Sequence, residues 1–305
     1  MTVSLHDVTI RYGSHVAVQN LNVTFERGSI GLLGRNGAGK SSILKSLLGL
    51  VEPAGGFMRF SDLGPDATAA EIRGHVGYMP ERDAHLPQAT GFDMVSLLGM
   101  LSGLTERDAW RRAHEVLYLV GLDEQRYRPV ASYSAGMRQK AKLAAALVHD
   151  PMVLFLDEPT NGLDPAGRRE MLELVRQLSV ELGKSVVFST HILQDVEAVC
   201  DRAVVLEKGR VVANGSIADL TSDEERQYLL RVDPASLDLG PLLASVARVE
   251  RQGNGRYSVW LPDGAPTHPL FAAVVGAGGT VRSMVQKRRT LEEVFLRAVR
   301  GEETV

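Results

Sequence analysis

The chain has 305 residues, of which 44% are apolar, and this length is enough for one large domain and a small one. Its formal net charge of −3 argues against a nucleic-acid-binding protein, and its single cysteine, Cys200, excludes an internal disulfide. No run of 18 apolar residues occurs, so we expect any membrane-spanning part to belong to another polypeptide.

The first segment of the chain, residues 3–33, is predicted to be rich in β-strands. Leu21, Val23 and Phe25 alternate strictly with polar residues, which is typical of a half-buried strand. Tyr12 precedes a turn and lies early enough to approach a base bound over the loop that follows. Its ring could stack on adenine, or it could be a half-buried strand tyrosine, and the sequence favours neither interpretation.

The most informative segment is Gly34–Ser42, called the phosphate loop below, which fits G-x-x-x-x-G-K-[ST] between an apolar strand and a helical pattern. Its glycines allow backbone N–H groups to point at an anion, and the helix start adds free N–H groups and a positive dipole end. Lys40 can reach terminal phosphates, and the hydroxyl of Ser41 can ligate Mg²⁺. We predict a nucleotide site with these loop residues: Gly34, Arg35, Asn36, Gly37, Ala38, Gly39, Lys40, Ser41 and Ser42.

Further along, a strand ends at Pro80 and leaves Glu81 just past it, where α/β proteins place ligand groups. Residues from 90 to 150 then change to a helical pattern, which indicates an inserted subdomain. One of its helices is predicted to begin near Ser134, a good N-cap, and Gly136 would let a phosphate approach its first turn.

Two strands after the helical segment end in polar groups at the edge of the phosphate loop. The apolar run from Val153 ends in the adjacent acids Asp157 and Glu158, and this predicts a metal or catalytic role because unpaired buried carboxylates are costly. His191 follows the next buried strand. It could touch a γ-phosphate or the attacking water, or it could be a satisfied structural histidine.

The chain changes again from about residue 219. Short strands at Tyr228–Val232 and Tyr257–Leu261 and a final helix predict a small α+β accessory domain. Thr290 and Glu293 form a capping box at the start of that helix. We therefore predict a first domain at 1–218, with the helical subdomain at about 85–150, and an accessory domain at 219–305.

With these motifs in this order, the chain resembles the ATP-binding subunits of ABC transporters, in the ABC-2-type exporter group. The phosphate loop resembles their Walker A motif, Val153–Glu158 their Walker B, Tyr133–Gln139 their signature and Gly162–Asp164 their D-loop. The resemblance implies an α/β P-loop NTPase fold with an ABC-type antiparallel β subdomain, an inserted helical subdomain and a small α+β C-terminal accessory domain.

The resemblance also implies roles for single residues. Tyr12 matches the aromatic residue that stacks on adenine, His191 the switch histidine, and Glu158 the general base. Ser134 and Gly136 match signature residues that face the γ-phosphate held by another subunit. The residues implied for Mg²⁺ are Ser41, Glu81 and Asp157. Glu81 departs from the family, which has glutamine in this Q-loop position, and it adds a negative charge there.

The function implied by the resemblance is Mg²⁺-dependent ATP hydrolysis that powers transport, in the direction of export. The implied partners are an integral membrane transporter subunit and a second ATP-binding subunit in a head-to-tail homodimer, with no nucleic acid. The implied location is the cytoplasmic face of a membrane. The alternatives are a soluble ABC ATPase acting on the ribosome or DNA, a small-molecule kinase, and a nucleotide-gated module without hydrolysis.

Overall fold

A computed structural model describes residues 1–82, 86, 88–222, 225–287 and 290–300. Residue 85, where the predicted helical subdomain begins, lies outside these residues, as do residues 301–305. The chain divides into compact units, of which one contains Met1–Ile217 and the other is Ala218–Val294.

The strands of the first unit are β1 (Val3–Tyr12), β2 (His15–Phe25), β3 (Ser29–Gly34), β4 (Gly55–Phe60), β5 (Val76–Met79), β6 (Val153–Asp157), β7 (Ser185–Thr190), β8 (Arg202–Glu207) and β9 (Arg210–Ser216). Its helices are α1 (Lys40–Leu47), α2 (Ala69–His75), α3 (Gly91–Leu101), α4 (Glu106–Leu119), α5 (Ala135–Leu147), α6 (Pro165–Val180) and α7 (Leu193–Val199).

A six-stranded sheet in the order β5-β6-β7-β3-β8-β9 forms the centre of this unit. Its strands pair in parallel except β9, which pairs antiparallel with β8. Every residue of β3, β6 and β7 is buried, because helices cover both faces of a parallel sheet. Parallel pairing brings the carboxyl ends of these three strands to one edge, which carries the phosphate loop, Glu158 and His191.

A three-stranded antiparallel sheet in the order β2-β1-β4 forms a second layer. Leu21, Val23 and Phe25 of β2 are buried and their neighbours are exposed, which confirms the predicted alternation. Phe25 belongs to the same hydrophobic cluster as Ile30 of β3 and Leu44 of α1. This shared core fixes helix α1, and with it the phosphate loop, against both sheets.

Three helices, α3, α4 and α5, form the predicted helical segment, with short 3₁₀ turns at Glu124–Tyr127 and Val130–Ser132. Thr90 caps α3, and its side chain and the Asp93 side chain satisfy each other's backbone N–H groups. Among the described residues, no helix combines the length and apolar character that crossing a bilayer requires.

The second unit is built on an antiparallel sheet in the order β11-β12-β10-β13. Helix α8 (Ile217–Leu220) begins at the last residue before this unit. The elements that follow are β10 (Glu225–Asp233), α9 (Gly240–Ala244), β11 (Arg248–Gly253), β12 (Arg256–Pro262), α10 (His268–Gly276) and β13 (Thr280–Lys287), and α11 (Leu291–Arg300) belongs to this unit as far as Val294. The predicted strands lie within β10 and β12. Strands β11 and β13 escaped prediction because they are mostly exposed and show no apolar alternation.

Candidate phosphate-binding site

The phosphate loop connects β3 to α1 and depends on glycine where it enters the helix. Gly39 is the N-cap of α1 with φ 105°, in the left-handed region that side chains disfavour. A Cβ atom there would lie 2.8 Å from the carbonyl oxygen of Ala17. No side chain caps this helix end, so its first N–H groups are free of side-chain acceptors, as an anion site requires.

Lys40 is buried at the start of α1, with 6% of its surface exposed. Its Nζ donates to the carbonyl oxygen of Gly34 at 2.7 Å and lies 3.2 Å from Oε1 of Glu158. A buried ammonium group needs such oxygen partners, since its desolvation is otherwise costly. The lysine predicted to bind phosphate is therefore paired with the acid predicted to act as base.

Glu158 links that lysine to the next strand. Its second oxygen, Oε2, lies 2.9 Å from Nδ1 of His191, which follows β7. The backbone of Glu158 has φ 50°, an uncommon conformation for a residue other than glycine, and costs about 1–2 kcal/mol. Such strained residues are concentrated at functional sites, where the surrounding structure holds them.

Asp157 lies beside Glu158 but faces different partners. It is 2% exposed, and the hydroxyl of Ser189 donates to its Oδ1 at 2.9 Å. Burial, together with the nearby carboxylate of Asp157, raises the pKa of Tyr78 well above its usual range. Tyr78 was not predicted as a site residue. The available signal was its place in β5, the strand that ends next to Glu81.

The candidate cavity has a volume of about 400 Å³. It is lined by Tyr12, His15, Ala17, Asn36, Gly37, Ala38, Gly39, Lys40, Ser41, Ser42, Glu81 and Glu158. Arg35 and His191 line an adjoining depression, which shares Asn36–Ala38 with the cavity. Tyr12 is the last residue of β1, is 45% exposed and lines the cavity, so its position is compatible with stacking on a base and with a half-buried strand tyrosine.

Ser134 and Gly136 lie at a different place. They line a depression of about 650 Å³ together with Gly162, Leu163 and Asp164 of the predicted D-loop. Ser134 is the N-cap of α5, and its Oγ accepts a hydrogen bond from the N–H of Met137 at 3.2 Å. Within one chain, the structure does not bring these residues into the cavity of the phosphate loop.

The residues predicted for Mg²⁺ are only partly brought together. Ser41 and Glu81 line the candidate cavity, and Asp157 is not among its lining residues. Among the residues described, no group of three or more His, Cys, Asp or Glu side chains is placed to hold a metal alone. The hydroxyl and carboxylate oxygens present are the donors that Mg²⁺ prefers, and they suit an ion held jointly with phosphate oxygens.

A buried carboxylate network missed by the sequence reasoning lies behind the site. Asp195 is fully buried on α7, accepts from Oγ1 of Thr160 at 2.7 Å and from Nε of Arg168 at 2.6 Å. It joins the loop that follows Glu158 to the helix that follows His191. The sequence signal was an acid inside the buried stripe of α7.

Known proteins are similar to this chain in sequence and in structure. A family model described as ABC transporter matches residues 18–161. The uncharacterized ABC transporter ATP-binding protein YxlF of Bacillus subtilis (strain 168) is 33% identical over 303 residues, which cover 97% of this chain and 99% of that protein. The chain belongs to the ATP-binding proteins of ABC transporters.

Other members of the ABC transporter group agree with this assignment. The Nod factor export ATP-binding protein I of Cupriavidus metallidurans is 32% identical over 301 residues, covering 97% of this chain and 96% of that protein. A solved structure described as the ATP binding subunit of an ABC transporter is 29% identical, with a TM-score of 0.64 over 72% of this chain and 92% of that chain. The predicted P-loop NTPase fold of this ABC transporter ATP-binding protein is confirmed.

Proposed function

We propose that the chain binds and hydrolyses ATP with Mg²⁺ and thereby powers export through a separate membrane-spanning partner. The observation that carries the proposal is the row of contacts from Lys40 through Glu158 to His191. A cation, a buried carboxylate and an accessible histidine beside a phosphate-binding loop are the groups that phosphoryl transfer to water requires.

Binding begins with competition for Lys40. The terminal phosphates of ATP carry more negative charge than one carboxylate, and the loop N–H groups and the start of α1 attract them to the same place. We therefore expect Lys40 to exchange Oε1 of Glu158 for phosphate oxygens. Tyr12 lines the same cavity and stacks on the adenine ring.

Mg²⁺, when it is bound, neutralises phosphate charge and orients the phosphate groups. The hydroxyl of Ser41 and the carboxylates of Glu81 and Asp157 are the oxygen donors that would hold it. The hydroxyl of Ser189 donates to Asp157 and fixes its orientation, as partners of metal-binding carboxylates commonly do.

Hydrolysis uses the oxygen that Lys40 releases. Once Oε1 of Glu158 is free of the lysine, it accepts a proton from the attacking water and acts as general base. His191 holds Oε2 of the same carboxylate, and thereby orients Oε1 and the water. Glu158 is buried, so bulk water has little access to its carboxylate.

A second copy of the chain completes the site in this proposal. Ser134 and Gly136 lie in a separate depression at the start of α5, where the positive end of the helix dipole can attract an anion. Two copies packed head to tail would place each nucleotide between the phosphate loop of one and Ser134 of the other. ATP then holds the pair together, and hydrolysis releases it.

The transport direction and partner are inferred from relatives and from charge. One relative is named for Nod factor export, and the acidic balance of this chain does not favour nucleic acid. We assign residues 1–218 to the nucleotide-binding domain and 219–305 to an accessory domain. The membrane-spanning partner is a separate polypeptide, and the chain works on the cytoplasmic face of the membrane.

The test uses wild type and Glu158→Gln with Mg²⁺ and ATP, and measures ATP turnover and molecular size. We expect the variant to bind ATP, to lose most turnover, and to accumulate as an ATP-dependent dimer. Turnover near the wild-type rate in the variant would refute the role of Glu158. Co-purification with a hydrophobic multi-span protein tests the transport assignment against a ribosome- or DNA-directed ATPase.

A further inference from the structure

A buried lysine lies on helix α5, away from the motifs described above. Lys142 is 4% exposed. Its Nζ donates to the carbonyl oxygens of Pro80 and Glu81, each at 2.9 Å. Burial of an ammonium group is costly without oxygen partners, so the convergence of two successive carbonyls on this cation is a specific structural feature.

These carbonyls flank the Cα atom of Glu81, the residue that lines the candidate cavity with Lys40 and Glu158. The Pro80 carbonyl belongs to the peptide plane before that Cα, and the Glu81 carbonyl to the plane after it. Hydrogen bonds to both planes fix the direction in which the Glu81 side chain leaves the backbone. Lys142 therefore holds the backbone from which the side chain of Glu81 extends to the cavity.

The same face of α5 also reaches the loop behind Glu158. Gln139 lies one turn before Lys142, is 7% exposed, and donates from Nε2 to the carbonyl oxygen of Asn161 at 3.1 Å. The N–H of Asn161 in turn donates to the carbonyl oxygen of Glu158 at 3.1 Å. Helix α5 is thus bonded to the loop of each acid that lines the cavity.

We propose that Lys142 is a positioning residue for nucleotide hydrolysis, which acts through Glu81. This inference rests on the proposed hydrolysis and adds a residue that no motif of the sequence contains.

The test compares Lys142→Met, Glu81→Gln and the double variant in the full chain. Lys184→Met is the matched control, since Lys184 is also largely buried and its Nζ donates to the Pro151 carbonyl at 2.8 Å, outside the candidate cavity. The kcat and KM for Mg²⁺-ATP and the Tm are measured for each. We expect Lys142→Met to lower kcat about tenfold with KM changed less than about twofold, as misplacement of a site group does.

The double variant tests whether Lys142 acts through Glu81. If it does, Glu81→Gln changes kcat less in the Lys142→Met background than in wild type, because coupled residues are not additive. Lys184→Met should lower Tm to a similar extent and leave kcat unchanged. Should Lys142→Met fail to fold, Lys142→Gln, which removes the charge and retains a donor, takes its place with the same expectations.

The outcomes separate this inference from the proposed function. A wild-type chain without ATP hydrolysis would overturn the function and the inference together. An active wild type combined with an unchanged kcat in Lys142→Met would overturn the inference alone. Additive effects of Glu81→Gln and Lys142→Met would do the same, because they would place Lys142 outside any pathway through Glu81.

Discussion

Nδ1 of His191 lies 2.9 Å from Oε2 of Glu158, across the ends of the neighbouring strands β6 and β7. The other oxygen of Glu158 faces Lys40 at 3.2 Å. The glutamate side chain is 7% exposed and the histidine side chain 43%. One carboxylate therefore joins a buried cation at the phosphate loop to a histidine that solvent can reach.

His191→Ala tests whether that histidine orients the proposed base. We expect kcat for ATP hydrolysis to fall about 10²-fold, because Glu158 loses the partner that fixes its carboxylate. The Kd for nucleotide should change little, since the phosphate loop is untouched. His75→Ala, at an exposed histidine of α2, is the control, and a kcat of His191→Ala within threefold of it would contradict the role.

Lys40→Met tests the pairing of the lysine with the glutamate. We expect nucleotide affinity to fall about ten- to hundredfold, as loss of a charged hydrogen bond does. The variant should also unfold at lower temperature, because the carboxylate of Glu158 would stay buried without the ammonium group of Lys40. In the double variant with Glu158→Gln, part of the lost Tm should be recovered. If the changes in Tm of the two single variants simply add in the double variant, the pairing is disproved.

Gly39→Ala tests the backbone of the phosphate loop. Gly183, at φ 63°, has open space where its Cβ would lie, whereas a Cβ on Gly39 would meet the Ala17 carbonyl at 2.8 Å. We expect Gly183→Ala to cost about 1 kcal/mol from its conformation. Gly39→Ala should cost about 3 kcal/mol, since overpacking adds to strain. Urea unfolding measures the change in the free energy of unfolding of each variant, and equal costs would contradict the close contact at Gly39.

Ser134→Ala tests the proposal that the start of α5 meets the nucleotide bound to a second subunit. Ser134 and Thr105 are both exposed N-caps whose side chains accept from a backbone N–H at 3.2 Å, so removal of either should cost about 1 kcal/mol. Only Ser134→Ala should also reduce ATP turnover and weaken ATP-dependent dimerisation of the Glu158→Gln chain. Equal turnover in the two variants would remove Ser134 from the nucleotide site.

The sequence by itself predicted the elements whose signal is local. The phosphate loop follows from four fixed residue types between a strand and a helix, and the cap Ser134 follows from its residue type at the start of a helical pattern. Continuous apolar runs predicted β6 and β7 because both faces of a central parallel strand are buried. Strand ends at Glu158 and His191 then placed both residues at one edge of the sheet.

Only the tertiary structure decided which side chains meet. The hydrogen bonds from Lys142 to Pro80 and Glu81 span about sixty residues, and no local pattern encodes them. The buried carboxylate of Asp195 is likewise satisfied by Thr160 and Arg168, which lie on other segments. Packing fixes such partners, because a buried charge must find oxygen or nitrogen atoms wherever the folded chain brings them.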